Sequence, residues 1–157
     1  MSISQIRKYN NESTLILGCG NMSNEQHQHH GCYTIDPDIK RNPSLQAKFG
    51  IDNVKNYLPS QCFYDIIFEG FILEPYEWCR GFGTNKNIID TLYYLLKEGG
   101  FIYGAWLGKE PQQIFQRLNG VLVSKKGEII TNDDEFLQFY KIMCPRHKHL
   151  LNTIKVE

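Results

Sequence analysis

The sequence is short of several things, and each absence narrows what the chain can be. No CxxC pair occurs, and the five cysteines (Cys19, Cys32, Cys62, Cys79 and Cys144) are odd in number and scattered. Reduced thiols are therefore expected rather than a disulfide framework. There is no excess of either charge: 17 Lys and Arg balance 17 Asp and Glu. That weighs against a strongly basic nucleic-acid surface, while leaving room for a local patch. No apolar run approaches the roughly 20 residues needed to span a bilayer. The opening "MSISQIRKYNNES" has no apolar core of the signal-peptide kind. A cytoplasmic protein with no membrane partner is expected. No internal repeat, low-complexity tract or linker interrupts the 157 residues, a length that suits a single domain spanning 1–157.

What is present alternates. Hydrophobic residues make up 41% of the chain, enough for a packed core. "TLIL", Thr14 to Leu17, reads as a strand buried on both faces. Further strands are expected at Cys32–Asp36, Ala47–Ile51, Phe63–Ile72 and Phe101–Leu107. A helix capped by Thr84 or Asn85 carries Ile88, Ile89, Leu92, Leu95 and Leu96 as one apolar stripe. "KEGG" should stop it, with Gly99 in the left-handed conformation. "EPQQIFQRLNG" reads as a second helix with Pro111 in its first turn. "VLVSKKGEII" and "EFLQFYKIM" then read as two strands around a polar turn, "TNDDE", antiparallel to each other for want of a helix between them. The end, "CPRHKHLLNTIKVE", is a basic cluster leading to a short helix or an extension. The alternation predicts an α/β fold: a mainly parallel sheet with helices on both faces and an antiparallel C-terminal strand pair.

In open parallel sheets, ligands sit beyond the carboxyl ends of the strands. Three features fall there: the "GCG" turn Gly18-Cys19-Gly20, Asp36-Pro37, and Glu69-Gly70. Glycines let the backbone turn sharply and approach a ligand with no Cβ in the way. A carboxylate such as Asp36 can accept two hydrogen bonds from a ribose diol. Asp52 can receive an adenine amino group, with Ile51 or Asn53 against the ring.

Four segments, in order, carry a resemblance: "LILGCGNM", "YTIDPD", "GIDNVKNYLPSQCFYDIIF" and "LLKEGG" ahead of "FIYG". They resemble the class I S-adenosylmethionine-dependent methyltransferases, over Thr14 to about Met143. The resemblance implies a three-layer Rossmann-like sandwich. It implies S-adenosyl-L-methionine as cofactor, held by Gly18, Cys19, Gly20, Asp36, Pro37, Asp52, Asn53, Glu69 and Gly70. Glu69 is the candidate general base. Phe71, Tyr76 and Trp78, in the connection after the fourth long strand, are candidate contacts for a methyl acceptor, by stacking or by facing a cation.

Other features pull elsewhere. Met22 stands where the family often has a third glycine, and no apolar periodicity links Gly20 to Asp36, so the first helix is expected to be short or absent. No "DPPY" or "NPPY" follows the fourth strand. A non-catalytic binding or scaffold member of the same fold is the alternative. A dinucleotide-binding domain is a third, against which "GCGNMS" lacks the last glycine of GxGxxG. A lid on so short a domain could come from a second copy or a partner. His27, His29, His30 and Cys32 crowd six positions, and structural zinc sites draw on separated ligand pairs. A solvated histidine loop with no metal is the expectation. "DPD" is also plain turn chemistry, and strand-end acids such as Glu69 are commonly solvated or paired.

Overall fold

A computed structural model describes residues 3–18, 23–68, 84–117, 120–123, 128–129 and 136–143; of Asn85, residues 105–107 and residues 136–143 only the backbone is described. The strands are β1 (Ser4–Gln5), β2 (Thr14–Leu17), β3 (Tyr33–Asp36), β4 (Leu45–Gln46), β5 (Phe63–Phe68), β6 (Leu96–Gly108), β7 (Val121–Val123) and β8 (Phe136–Met143). The helices are α1 (Asn24–His29), α2 (Asn85–Leu95) and α3 (Lys109–Arg117), with 3-10 turns at Ile39–Arg41 and Val54–Asn56.

The eight strands of the described residues join one sheet in the order β1-β4-β3-β2-β5-β6-β8-β7. The run from β4 to β6 is parallel throughout. β8 lies antiparallel to both β6 and β7, which agrees with the expected antiparallel pair at the C-terminal side. From β2 the chain steps to β3 and then β4 on one side, and β5 returns to the other side of β2. The strand order therefore reverses between β2 and β5, and the crevice beyond their carboxyl ends is the fold's natural ligand seat.

β2 is short, apolar and almost wholly buried because it is sandwiched laterally by two parallel partners. Leu15 and Leu17 share a core with Tyr33, Ile35, Leu45, Phe63 and Ile66, and α2 completes it with Ile88, Ile89, Leu92 and Leu95. The Thr84 hydroxyl accepts the Asn87 N–H at 3.1 Å and so caps α2.

Two expectations need correction here. α2 does not end in a left-handed glycine: Leu96 takes an extended conformation and starts β6 at once. Gly99, with φ +88°, lies instead where β6 slips register against β5. Beside it, a Cβ on Gly100 would stand 2.5 Å from the Tyr64 carbonyl oxygen and 2.6 Å from Leu96 Cδ1, so the strands close up only around glycine. The expected strand over Ala47–Ile51 is in fact β4, two residues earlier. The alternation of Ala47, Phe49 and Ile51 imitates a strand, but the Asp52 carboxylate takes the Lys48 N–H at 2.8 Å and the Asp52 N–H returns to the Lys48 carbonyl at 2.9 Å. Gly50, φ +93°, lets that turn close.

The segment ahead of β2 runs down the β4 edge and then beneath the amino ends of the strands. The Tyr33 hydroxyl donates to the Arg7 carbonyl at 2.9 Å, and the Tyr9 hydroxyl to the Cys62 carbonyl at 2.9 Å. Tyr9 packs edge-on against Tyr33 and Phe63. The described part of this segment thus seals the end of the sheet opposite the crevice.

Candidate functional site

Gly18 directly follows β2 with φ +75°, a backbone conformation rare for residues with a Cβ. Its N–H donates to the Ile35 carbonyl at 3.1 Å, so the glycine turn is pinned to the strand that ends in Asp36. Asp36 is 4% exposed. Its Oδ1 accepts the Asp38 N–H at 2.9 Å, which closes an Asx turn over Pro37. Its Oδ2 lies 3.8 Å from Arg41 Nη1. That is an ion-pair distance, too long for a hydrogen bond. A carboxylate has about four lone-pair sites, and among the described residues a single hydrogen bond, from the Asp38 N–H, takes one of them. Asp36 therefore does turn chemistry and still has acceptor capacity.

The neighbouring turn follows the same local rule. Asp38 Oδ1 accepts the Lys40 N–H at 3.0 Å and caps the Ile39–Arg41 turn. Pro37 is half-buried, and its carbonyl accepts Gln46 Nε2 at 3.2 Å. Asp52 is half-buried just past β4, with Oδ2 committed to Lys48 N–H. The exposed Asn53 caps the Val54–Asn56 turn by accepting the Lys55 N–H at 3.2 Å. Ile39, three residues past Asp36, and Ile51, directly before Asp52, are 43% and 53% exposed. Apolar side chains left in water at two such places are available to a flat apolar ligand.

α1 completes the described site. Ser23 and Gln26 form a capping box: the Ser23 hydroxyl accepts the Gln26 N–H and the Gln26 side chain accepts the Ser23 N–H. The helix has six residues and is short, as its missing apolar stripe implied. It is held by polar bonds. The fully buried Asn24 donates from Nδ2 to the Arg41 carbonyl at 2.9 Å. Gln28 Nε2 donates to the Asn42 carbonyl at 2.9 Å and to Thr34 Oγ1 at 3.1 Å. Thr34 and Ser44 exchange hydrogen bonds between their hydroxyls and backbone amides beneath it.

The histidine loop is corrected accordingly. His27 and His29 belong to α1, and His27 is buried while His29 and His30 are exposed. Helical geometry turns them to different sides. Among the described residues no three His, Cys, Asp or Glu come together as a metal would need. Asn24 Oδ1 and His27 Nε2 are buried with no hydrogen-bond partner among the described residues. Burial raises the Cys32 thiol, and pushes the Cys62 thiol up to about 11, so neither is primed as a thiolate nucleophile.

Gly18 directly follows β2 and Asp36 ends the adjacent β3, with Pro37 next to it, while Asp52 and Asn53 lie six and seven residues beyond β4, where Asp52 closes a turn on Lys48 and Asn53 caps the turn after it. Cys19, Gly20, Glu69, Gly70, Phe71, Tyr76 and Trp78 lie outside the described residues, as does the C-terminal "CPRHKHLLNTIKVE". Sequence reasoning missed Arg41 and Asn24. Asn24 was within reach, since the Ser23-x-x-Gln26 spacing spells a capping box. Arg41 carried no signal beyond following a turn.

No family model matches the chain, and no curated protein does. Among solved structures the chain is similar to the crystal structure of 30S ribosomal A1408 methyltransferase from an uncultured bacterium. The TM-score is 0.41 and the identity 16%, covering 82% of this chain and 85% of that one. Among the described residues no helix is long and apolar enough to cross a membrane.

Proposed function

We propose that this chain is a cytoplasmic, single-domain S-adenosylmethionine-dependent methyltransferase with a three-layer Rossmann-like sandwich. One observation carries the reading. The strand order reverses beside β2, and there Gly18, directly after β2, stands beside the end of the adjacent parallel strand that closes in Asp36, tied by the Gly18 N–H to Ile35 carbonyl bond. A turn that needs glycine beside a buried carboxylate with acceptor capacity fits a nucleoside. The glycine gives close approach and the carboxylate gives a seat for two hydroxyls. The layers are supported by Thr34, which faces α1, between Tyr33 and Ile35, which lie in the core that α2 completes.

The residues present divide the work. Gly18, with Cys19 and Gly20, would line the backbone side of the cofactor. Asp36 and Pro37 would hold the ribose; Asp52 and Asn53, with Ile39 and Ile51, would frame the adenine. The cofactor would supply an already electrophilic methyl group. What is left to the protein is to align the acceptor and exclude water. Glu69 directly follows β5 and would take the acceptor's proton if that group is too weakly acidic to react without help. Phe71, Tyr76 and Trp78 would contact the acceptor.

Calorimetric titration with S-adenosylmethionine and S-adenosylhomocysteine tests the reading. Saturable binding that Asp36→Ala abolishes is the expected result. A folded protein that gives no heat at millimolar cofactor would refute it. A second reading, a binding protein without turnover, is favoured by the six-residue α1 and by the use of Asp36 Oδ1 in its own turn. It predicts cofactor binding with no methyl transfer to any component of a cell extract.

A further inference from the structure

The Asp36 carboxylate is held at both oxygens, and the two holds differ. The Asp38 N–H fixes Oδ1 through a hydrogen bond of 2.9 Å within the same turn. Arg41 Nη1 approaches Oδ2 at 3.8 Å, near enough for attraction and too far to occupy a lone pair. Arg41 is 52% exposed at its side chain, so burial does not place it. Its backbone is placed: the Asp38 cap and the Asn24 amide, itself wholly buried, fix the turn and the Arg41 carbonyl. Asn42, next in sequence, adopts φ +52° and closes that turn. The Asn24 bond links α1, which follows the glycine turn, to the loop that carries Arg41. Both halves of the crevice are tied through that loop.

Resting on the nucleoside reading above, we propose that Arg41 is a positioning residue for the ribose seat, holding the second oxygen of Asp36 by charge alone while leaving it open to a hydroxyl. Orientation is then set before the ligand arrives, which lowers the ordering cost of binding. An attraction made without a hydrogen bond has two consequences. At Asp36 it calls for a positive charge rather than the guanidinium fork, so a lysine should serve for this purpose. It acts at a half-exposed site, so salt should screen it.

The experiment measures the dissociation constant of S-adenosylhomocysteine by calorimetry for the wild-type chain, Arg41→Gln and Arg41→Lys, at about 20 mM and about 500 mM NaCl. At low salt Arg41→Gln should bind about 5-fold more weakly than wild type, and Arg41→Lys should stay within about 2-fold. At high salt the three should converge. A wild type that binds, with Arg41→Gln equal to it at low salt, overturns this proposal and leaves the nucleoside reading standing. A loss in Arg41→Gln that lysine does not restore, or that persists undiminished at high salt, gives Arg41 a role other than its charge on Asp36 and also overturns it. A wild type that does not bind at either salt removes both the reading and the proposal.

Discussion

Helices α1 and α2 flank the same sheet by opposite means. α2 lays Ile88, Ile89, Leu92 and Leu95 into the core, all of them fully buried. Each such side chain is worth roughly 1.5–3 kcal/mol of transfer out of water. α1 has no apolar stripe. Its inner face offers Asn24 and His27, and among the described residues its polar hold includes the bonds from Asn24 and Gln28 to Arg41, Asn42 and Thr34 and the bond that Glu25 accepts from Asn42. A net hydrogen bond contributes only about 1 kcal/mol, but it has a direction. The comparison teaches a division of labour: apolar packing holds the scaffold helix, while directed polar bonds hold the helix beside the candidate site and fix the loop it touches.

Four experiments bear on that division, from the largest expected effect downward. Leu92→Ala opens a void between α2 and the sheet. It should cost about 2–5 kcal/mol in urea unfolding, destabilising the whole domain. Asn24→Ala deprives the Arg41 carbonyl of its partner and should cost about 1–3 kcal/mol. Hydrogen exchange should place its loss at residues 24–29 and 39–42, leaving the amides of α2 protected. A global loss as large as that of Leu92→Ala would break the comparison. Ser23→Ala removes one half of the capping box and should cost about 1 kcal/mol, again confined to α1 by exchange.

The smallest effect concerns pH, and it belongs to the α2 side. The Cys62 N–H bonds to the Leu95 carbonyl at the end of α2. Burial first of all pushes its thiol up to about 11 from an ordinary 9.0. The unfolded thiol therefore loses its proton before the folded one does. This contribution to stability is full below about pH 9 and is lost as pH rises from there towards 11. By about pH 9.5 the urea midpoint should have fallen by the equivalent of under about 1 kcal/mol, and Cys62→Ala should flatten that decline. Tyr9 and Tyr33, both raised mainly by burial, steepen the loss at higher pH.

How much of this was legible follows from the same physics. The strand at Thr14–Leu17 and the stripe of α2 are patterns of apolar residues, and burial is indifferent to which partner covers them. They can be read one residue at a time. β4 was misplaced because Phe49 and Ile51 alternate like strand residues, while Gly50 and Asp52 beside them close a turn. There the pattern and the turn chemistry conflict, and the turn prevails. α1 was invisible to periodicity and legible only through Ser23 and Gln26.

For the candidate site, Gly18 and Asp36 could be chosen because strand ends are where an α/β sheet presents its chemistry. The sequence by itself determined those ends, the apolar core and the glycine-dependent turn, since each rests on neighbours a few residues away or on burial that any partner satisfies. Only the tertiary structure decided that the strand order reverses beside β2, that Asn24 reaches the Arg41 carbonyl 17 residues on, and that Arg41 thereby stands at Asp36. Those are directional contacts between particular atoms distant in the chain. They leave no period in the sequence, because a hydrogen bond or an ion pair depends on where the fold brings two groups rather than on what either group is.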